Sequence, residues 1–209
     1  MPDTVCRPPR LILASSSRYR RALLERLGMP FDVMSPDLDE TPLAGETPAE
    51  TALRLAGAKA RAVAATIDAP DGVLVIGSDQ VATFDGRQIG KPGTHERALA
   101  QLLSMQGRDV EFHSALSLYD SRTGETWSED VVTHVRFRSL SEAELDAYLR
   151  AETPYDVAGS AKSEGLGIAL LDAIDSDDPT ALVGLPLIAL TRMLRAAGYP
   201  LFATQGDRA

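Results

Sequence analysis

This 209-residue chain predicts an α/β fold, a mixed sheet flanked by helices, and three observations predict it. Leu11-Ile12-Leu13-Ala14 and Val73-Leu74-Val75-Ile76 are short unbroken apolar runs, the pattern of strands buried on both faces. Helical segments with cap signals lie between and after them. Two longer alternating segments, near residues 110–119 and 126–137, flank Ser121-Arg122-Thr123-Gly124 and read as a β-hairpin.

In chain order, the first strand runs into Ser15-Ser16-Ser17, N-cap candidates for a helix over residues 18–27 that Gly28 stops. A second strand is expected at Phe31-Asp32-Val33-Met34, before an acidic, proline-bearing loop at residues 35–42. Thr47-Pro48-Ala49-Glu50 is a capping box with proline at the first helical position, opening a helix to about Thr66. The strand at residues 73–76 is expected to end at Gly77-Ser78-Asp79-Gln80, and Asp85-Gly86 reads as a tight hairpin turn. A helix over residues 95–105 ends at Gly107. Leu140-Ser141-Glu142-Ala143-Glu144 supplies a staple and capping box for a helix to Arg150. A Gly/Ser-rich stretch at residues 158–167 precedes apolar Ile168-Ala169-Leu170-Leu171. Val183-Gly184-Leu185-Pro186 starts the last helix, and the tail after Phe202 is expected to be disordered.

Composition narrows the function. A hydrophobic content of 44% and a charged content of 24% suit a soluble globular protein. No apolar run approaches the roughly 20 residues that span a bilayer. The first residues lack a basic segment followed by an apolar one, so no secretory signal is read there. Cys6 is the single cysteine, which suits a reducing cytoplasm. The net charge of −9 argues against a nucleic-acid-binding surface, although a few converging cations still suffice to hold a polyphosphate. Of 21 basic residues only Lys59, Lys91 and Lys162 are lysines. A lysine is a compact point charge and an arginine a planar fork, so the choice carries information.

Several familiar motifs are excluded. Gly86-Arg87-Gln88-Ile89-Gly90-Lys91-Pro92 has one residue too few between its glycines for a phosphate-binding P-loop, and proline where the metal-binding hydroxyl belongs. His95, His113 and His134 have no metal-ligand spacing, and no nucleophile elbow occurs. Four segments remain. Leu13–Arg21 feeds a strand into a serine cluster at a helix start, where free N–H groups favour an anion and where Arg20 and Arg21 otherwise oppose the helix dipole. The alternative there is an ordinary serine cap with solvated arginines. Asp79 follows a buried strand, where a carboxylate activates water, binds a metal, or merely caps a loop. Lys162 sits in a small-residue loop with Glu164, and Lys91 at a strand end. Lys59 lies on the capped helix, where a solvated position is the simple reading. The acidic loop with Asp37, Asp39 and Glu40 either offers a metal ligand or is a solvated turn.

In order, the segments LAS-x-S-x-x-RR from Leu13, DETP from Asp39, RLA-x-x-KA from Arg54, GSDQ from Gly77, GKP from Gly90, AGS-x-KSEG from Ala158 and VGLPL from Val183 resemble the Maf family of nucleoside triphosphate pyrophosphatases. The resemblance covers nearly the whole chain, from Leu11 to about Gly198. It implies a single Maf-like domain over residues 1–209, with a core at about 10–202 and short tails. It also implies a Maf/ITPase-like fold with two lobes around a nucleotide cleft.

On matched positions it implies Asp79 as the catalytic residue, acting as base or metal ligand. Ser15, Ser17, Arg20, Arg21, Lys59, Lys91 and Lys162 are implied as the phosphate cradle. Glu40 and Asp39, with Asp79, are implied around a divalent Mg or Mn cofactor. Arg18 departs from the family, which often carries proline there. Tyr19, Gln80 and Glu164 match the positions that divide the family by substrate, and their aromatic/Gln/Glu combination resembles the group hydrolysing 7-methyl-GTP. N7-methylation makes guanine cationic, which favours an aromatic face, and a carboxylate accepts from its N1–H and N2 amine. Tyr19 stands where relatives usually have the stronger partner tryptophan. The partner expected is a small-molecule nucleotide in the cytoplasm, with no nucleic acid and no membrane, and a homodimer stays open. Rival readings are a pyrophosphatase for dTTP, UTP or another noncanonical nucleotide, a non-catalytic nucleotide sensor in septum formation, and an NTPase releasing inorganic phosphate.

Overall fold

The computed structural model describes residues 8–202. Cys6 and the tail after Phe202 lie outside the described residues. Seven strands form one mixed sheet, as expected. They are β1 (Arg10–Ala14), β2 (Asp32–Val33), β3 (Val73–Phe84), β4 (Arg87–Ile89), β5 (Asp109–Asp120), β6 (Thr126–Phe137) and β7 (Leu171–Ser176). The sheet order is β2-β1-β3-β5-β6-β7, with β4 also on β3. The pairs β1–β2 and β1–β3 are parallel and the others antiparallel. Five helices accompany it: α1 (Arg18–Glu25), α2 (Pro48–Ala64), α3 (His95–Met105), α4 (Glu142–Glu152) and α5 (Leu187–Ala196).

The apolar runs are unbroken because both faces of β1 and β3 are covered. Leu11, Leu13, Leu74 and Ile76 pack on one face with Leu23 and Leu24 of α1 and Leu190 and Leu194 of α5. Ile12, Ala14, Val73 and Val75 pack on the other with Ala60 and Val63 of α2. A separate cluster lies toward the far end of the long strands, joining Phe112, Val135 and Phe137 to α3 and α4. The two largest of these three clusters lie toward opposite ends of the long strands. The capping boxes at Thr47/Glu50 and Ser141/Glu144 both form, and Asp85 and Gly86 turn the β3–β4 hairpin at φ 51 and 69.

Two expectations are corrected and one unassigned segment takes shape. β3 continues through Gly77-Ser78-Asp79-Gln80 instead of ending there. Residues 166–170 form a 3-10 turn that leads into β7, an edge strand exposed along most of its length and so without readable alternation. The last helix begins at Leu187, after a separate 3-10 turn at Ala181–Val183.

Gly77 lets α2 lie against β3. A Cβ built there would stand 2.0 Å from the Ala56 carbonyl oxygen and 2.8 Å from the Ala60 nitrogen. Backbone cannot yield as a side-chain tip can, so Gly77→Ala is expected to lower stability by at least about 2 kcal/mol through overpacking. An unchanged melting temperature in thermal unfolding would contradict this contact.

Candidate active site

The cleft opens where the edge of β3 is bare. β1 accompanies β3 only as far as the Ala14–Gly77 pair, and β4 joins only from the Ala82–Ile89 pair. Between them, residues 78–81 keep β5 on one side and, among the described residues, have no strand on the other. A cavity of about 670 Å³ fills this gap, a size that accommodates a nucleotide. It lies beyond the C-terminal end of β1, the crevice where α/β sheets place ligands.

Alternation along β3 sends neighbouring residues to opposite walls. Asp79 faces α2, where Lys59 Nζ donates to its Oδ1 at 2.7 Å. Lys59 also lies 2.6 Å from Glu40 Oε1, so one ammonium joins two carboxylates from separate segments. Lys59 is only 6% exposed and Asp79 8%. The solvated reading of Lys59 is therefore wrong: it occupies the stripe of Ala52, Leu55/Ala56, Ala60 and Val63 on the buried face of α2.

Burial pushes the Glu40 carboxyl upward, but Lys59, Lys91 and Arg20 together hold it below the usual glutamate value. Its loop is clamped to α2 through Glu46, which pairs with Arg54 and accepts from the Leu43 N–H at 2.9 Å. Those bonds, the Arg54 pair first, hold the Glu46 carboxyl at about 2.

Ser78 and Gln80 face the opposite wall. Ser78 Oγ donates to the Gly184 carbonyl at 2.9 Å. Gln80 Nε2 lies 2.9 Å from Ser114 Oγ and 3.2 and 3.0 Å from the Ala181 and Leu182 carbonyls. Ser114 Oγ itself donates to Ala181 at 2.7 Å. The Gln80 amide is thus engaged in holding the 3-10 turn whose Leu182, Val183 and Gly184 line the cavity.

At the β1 end, Ser17 caps α1 by accepting from Arg20 N at 3.4 Å. Ser15 Oγ accepts from Ser17 N at 3.1 Å and from Arg20 Nη1 at 3.4 Å. Arg20 Nε donates to Gly184 at 2.9 Å. Burial lowers the Arg20 pKa, with the charges of Asp79 and Glu40 opposing. No acidic residue occupies the first turn of α1, so its N–H groups face the cavity without a built-in anion.

Of the residues singled out in sequence, Ser15, Ser17, Tyr19, Arg20, Glu40, Lys59, Asp79, Gln80, Lys91, Lys162 and Glu164 all line this cavity. Two do not. Arg21 Nε donates to Glu25 Oε1 at 2.9 Å in an exposed pair along α1. Asp39 Oδ1 accepts from Thr41 N at 2.9 Å, and this turn presents its neighbour Glu40 to the cleft instead. Lys162 is buried to 8% exposure, and the charges nearest it are Asp156 at 3.7 Å and Glu152 at 4.0 Å, not Asp79. Sequence reasoning passed over Ser114, which looks like any small residue of an alternating strand, and the Glu46–Arg54 clamp, in which Glu46 lies ahead of the helix that carries Arg54.

A cavity at the open edge of a mixed sheet, with buried cations and carboxylates along one side, defines a binder of polyanionic small molecules. The Maf-like protein family model matches residues 10–197, and the chain belongs to that family. The protein named 7-methyl-GTP pyrophosphatase in Burkholderia orbicola (strain AU 1054) is 92% identical over 210 residues, covering 100% of both chains. The protein of the same name in Burkholderia pseudomallei (strain 1710b) is 78% identical, over 100% of this chain and 97% of its own. That of Cupriavidus metallidurans is 69% identical, over 93% and 96%. Among solved structures, the Staphylococcus aureus Ham1 protein overlaps 61% of this chain and 71% of its own at TM-score 0.41 and 18% identity, a likeness on which nothing further rests.

Proposed function

We propose that the cleft hydrolyses 7-methyl-GTP to 7-methyl-GMP and pyrophosphate, with Asp79 at the reacting centre. The observation that carries this is the buried Asp79–Lys59 pair, joined by Glu40 from the exposed loop, beside the capped start of α1, in a family member whose relatives bear that enzyme's name. The triphosphate lies along Ser15, Arg20, Lys59 and Lys91. The Asp79 carboxylate orients a water and takes its proton as the water oxygen bonds to the α-phosphorus. The α–β anhydride bond breaks, and the leaving pyrophosphate is stabilised by the same cations.

A divalent cation suits this donor set. Asp79 and Glu40 converge on one point, now held by Lys59 Nζ. Two carboxylates completed by phosphate oxygens and water are what a magnesium-type ion takes. Among the described residues no group of three ligating side chains exists, so Asp79 and Glu40 would hold such an ion together with the substrate. When bound, the ion supplies charge neutralisation at the phosphates. Asp39 is not part of this set, because its carboxylate serves its own turn.

The other end of the cleft reads the base. Tyr19 offers an aromatic face to the cationic 7-methylguanine, and Glu164 accepts from its N1–H and N2 amine. Gln80 contributes through the turn it holds. The reaction belongs in the cytoplasm; among the described residues no helix is long and apolar enough to cross a membrane.

The test is a panel of 7-methyl-GTP, GTP, dTTP and UTP with Mg²⁺ or Mn²⁺ and identified products. The highest kcat/KM is expected for 7-methyl-GTP, with pyrophosphate released. Faster turnover of dTTP or UTP, or release of inorganic phosphate, would refute the reading. Glu164→Gln is expected to reduce 7-methyl-GTP use by about tenfold, a lost charge-assisted bond, and to spare the pyrimidine nucleotides. Equal losses on every nucleotide would exclude base reading by Glu164.

A further inference from the structure

Asp156, in the loop after α4, belongs to none of the sequence motifs above, yet it contacts cavity-lining residues of α1 and of the loop that carries Lys162. Its Oδ2 accepts from the Tyr19 hydroxyl at 3.3 Å and lies 3.6 Å from Arg18 Nη2. Its Oδ1 lies 3.7 Å from Lys162 Nζ. Arg18 Nη2 in turn donates to the Tyr19 hydroxyl at 2.7 Å, and its guanidinium carbon stands 4.8 Å from the Tyr19 ring centroid. Tyr19 therefore accepts from a cation and donates to a carboxylate, which restrains its ring in the cavity lining.

The charges here create a difficulty for the proposed substrate. Arg18 already covers Tyr19, and Lys162 lines the same end of the cavity. A base with a fixed positive charge entering between them is repelled, whereas a neutral guanine is not. Asp156 is the carboxylate that contacts both cations and the phenol at once.

We propose that Asp156 determines specificity for the cationic base: it offsets Arg18 and Lys162 and fixes the Tyr19 ring, so that a positively charged purine is accepted beside them. This rests on the 7-methyl-GTP reading above. Asp156 acts through Tyr19 and the two cations, and so is a positioning residue.

Asp156→Asn removes the charge and keeps the size and an acceptor for the Tyr19 hydroxyl. KM for 7-methyl-GTP is expected to rise about five- to tenfold, the effect of one partly screened charge. KM for GTP should stay level or fall, with kcat preserved for both. The difference should shrink in high salt, and Asp156→Glu should restore part of the preference. Because Asp156 is half exposed, the melting temperature should not move. Equal changes for both nucleotides, or none, would overturn the role of Asp156 while leaving the enzyme's selectivity standing. A wild-type protein without preference for 7-methyl-GTP over GTP would overturn the functional reading and this inference with it.

Discussion

Asp79→Asn is expected to leave the fold intact and to lower kcat by about 10²–10⁴-fold, the contribution of a positioned general base. The amide is nearly isosteric, and its oxygen still accepts from Lys59, which now lies 2.7 Å from Asp79 Oδ1. Asp79 sits where β3 has lost one neighbour and not yet gained the next, so the change disturbs no ladder partner on that side. On the proposed mechanism, what is lost is the negative charge that takes the proton of water and that would join Glu40 in holding a divalent ion. Steady-state kinetics with a circular-dichroism melt separates the two effects. Turnover within tenfold of wild type would remove Asp79 from the chemistry.

The second large effect is expected at Lys59, and it has two parts. Lys59→Met fits the apolar stripe of α2 but leaves Asp79 and Glu40 facing one another without the cation between them. Breaking a fully buried pair costs roughly 3–5 kcal/mol. The loss here should be smaller, because the Glu40 side chain is 59% exposed and can turn to water. The melting temperature should nevertheless fall. Activity should drop by about 10²–10³-fold, as when one preorganised donor to a developing anion is removed. Lys59→Arg should not restore it, since a planar fork cannot place one nitrogen between two carboxylates as an ammonium does. Normal kinetics in Lys59→Met would show that Lys59 serves packing and not phosphate, and normal kinetics in Lys59→Arg would show that charge alone, without the ammonium geometry, suffices.

Much of this architecture was legible in the residues. β1 and β3 announce themselves because strands buried on both faces need unbroken apolar runs. The helix starts at Thr47 and Ser141 follow from side chains that satisfy their own backbone N–H groups. β7 was not legible, because an exposed edge strand carries no alternation. The continuation of β3 through Gly77-Ser78-Asp79-Gln80 was hidden for a different reason. A glycine required by a close helix, and polar residues required by a cleft, break the apolar pattern where the function lies.

At the site, the sequence resemblance named residues that the fold does gather, with Arg21 and Asp39 as exceptions that serve local bonds. Lys59 had a signal that went unused: its phase on α2 coincides with the buried stripe. Asp156 had none, since its importance depends on Arg18 and Tyr19 from α1 reaching it across the cleft.

Hydrolysis of 7-methyl-GTP in ¹⁸O-water, followed by mass spectrometry of both products, tests the central claim most directly. Attack at the α-phosphorus predicts the label in 7-methyl-GMP and none in pyrophosphate. Label in pyrophosphate would mean attack at the β-phosphorus, label in inorganic phosphate would mean attack at the γ-phosphorus, and either would contradict the account.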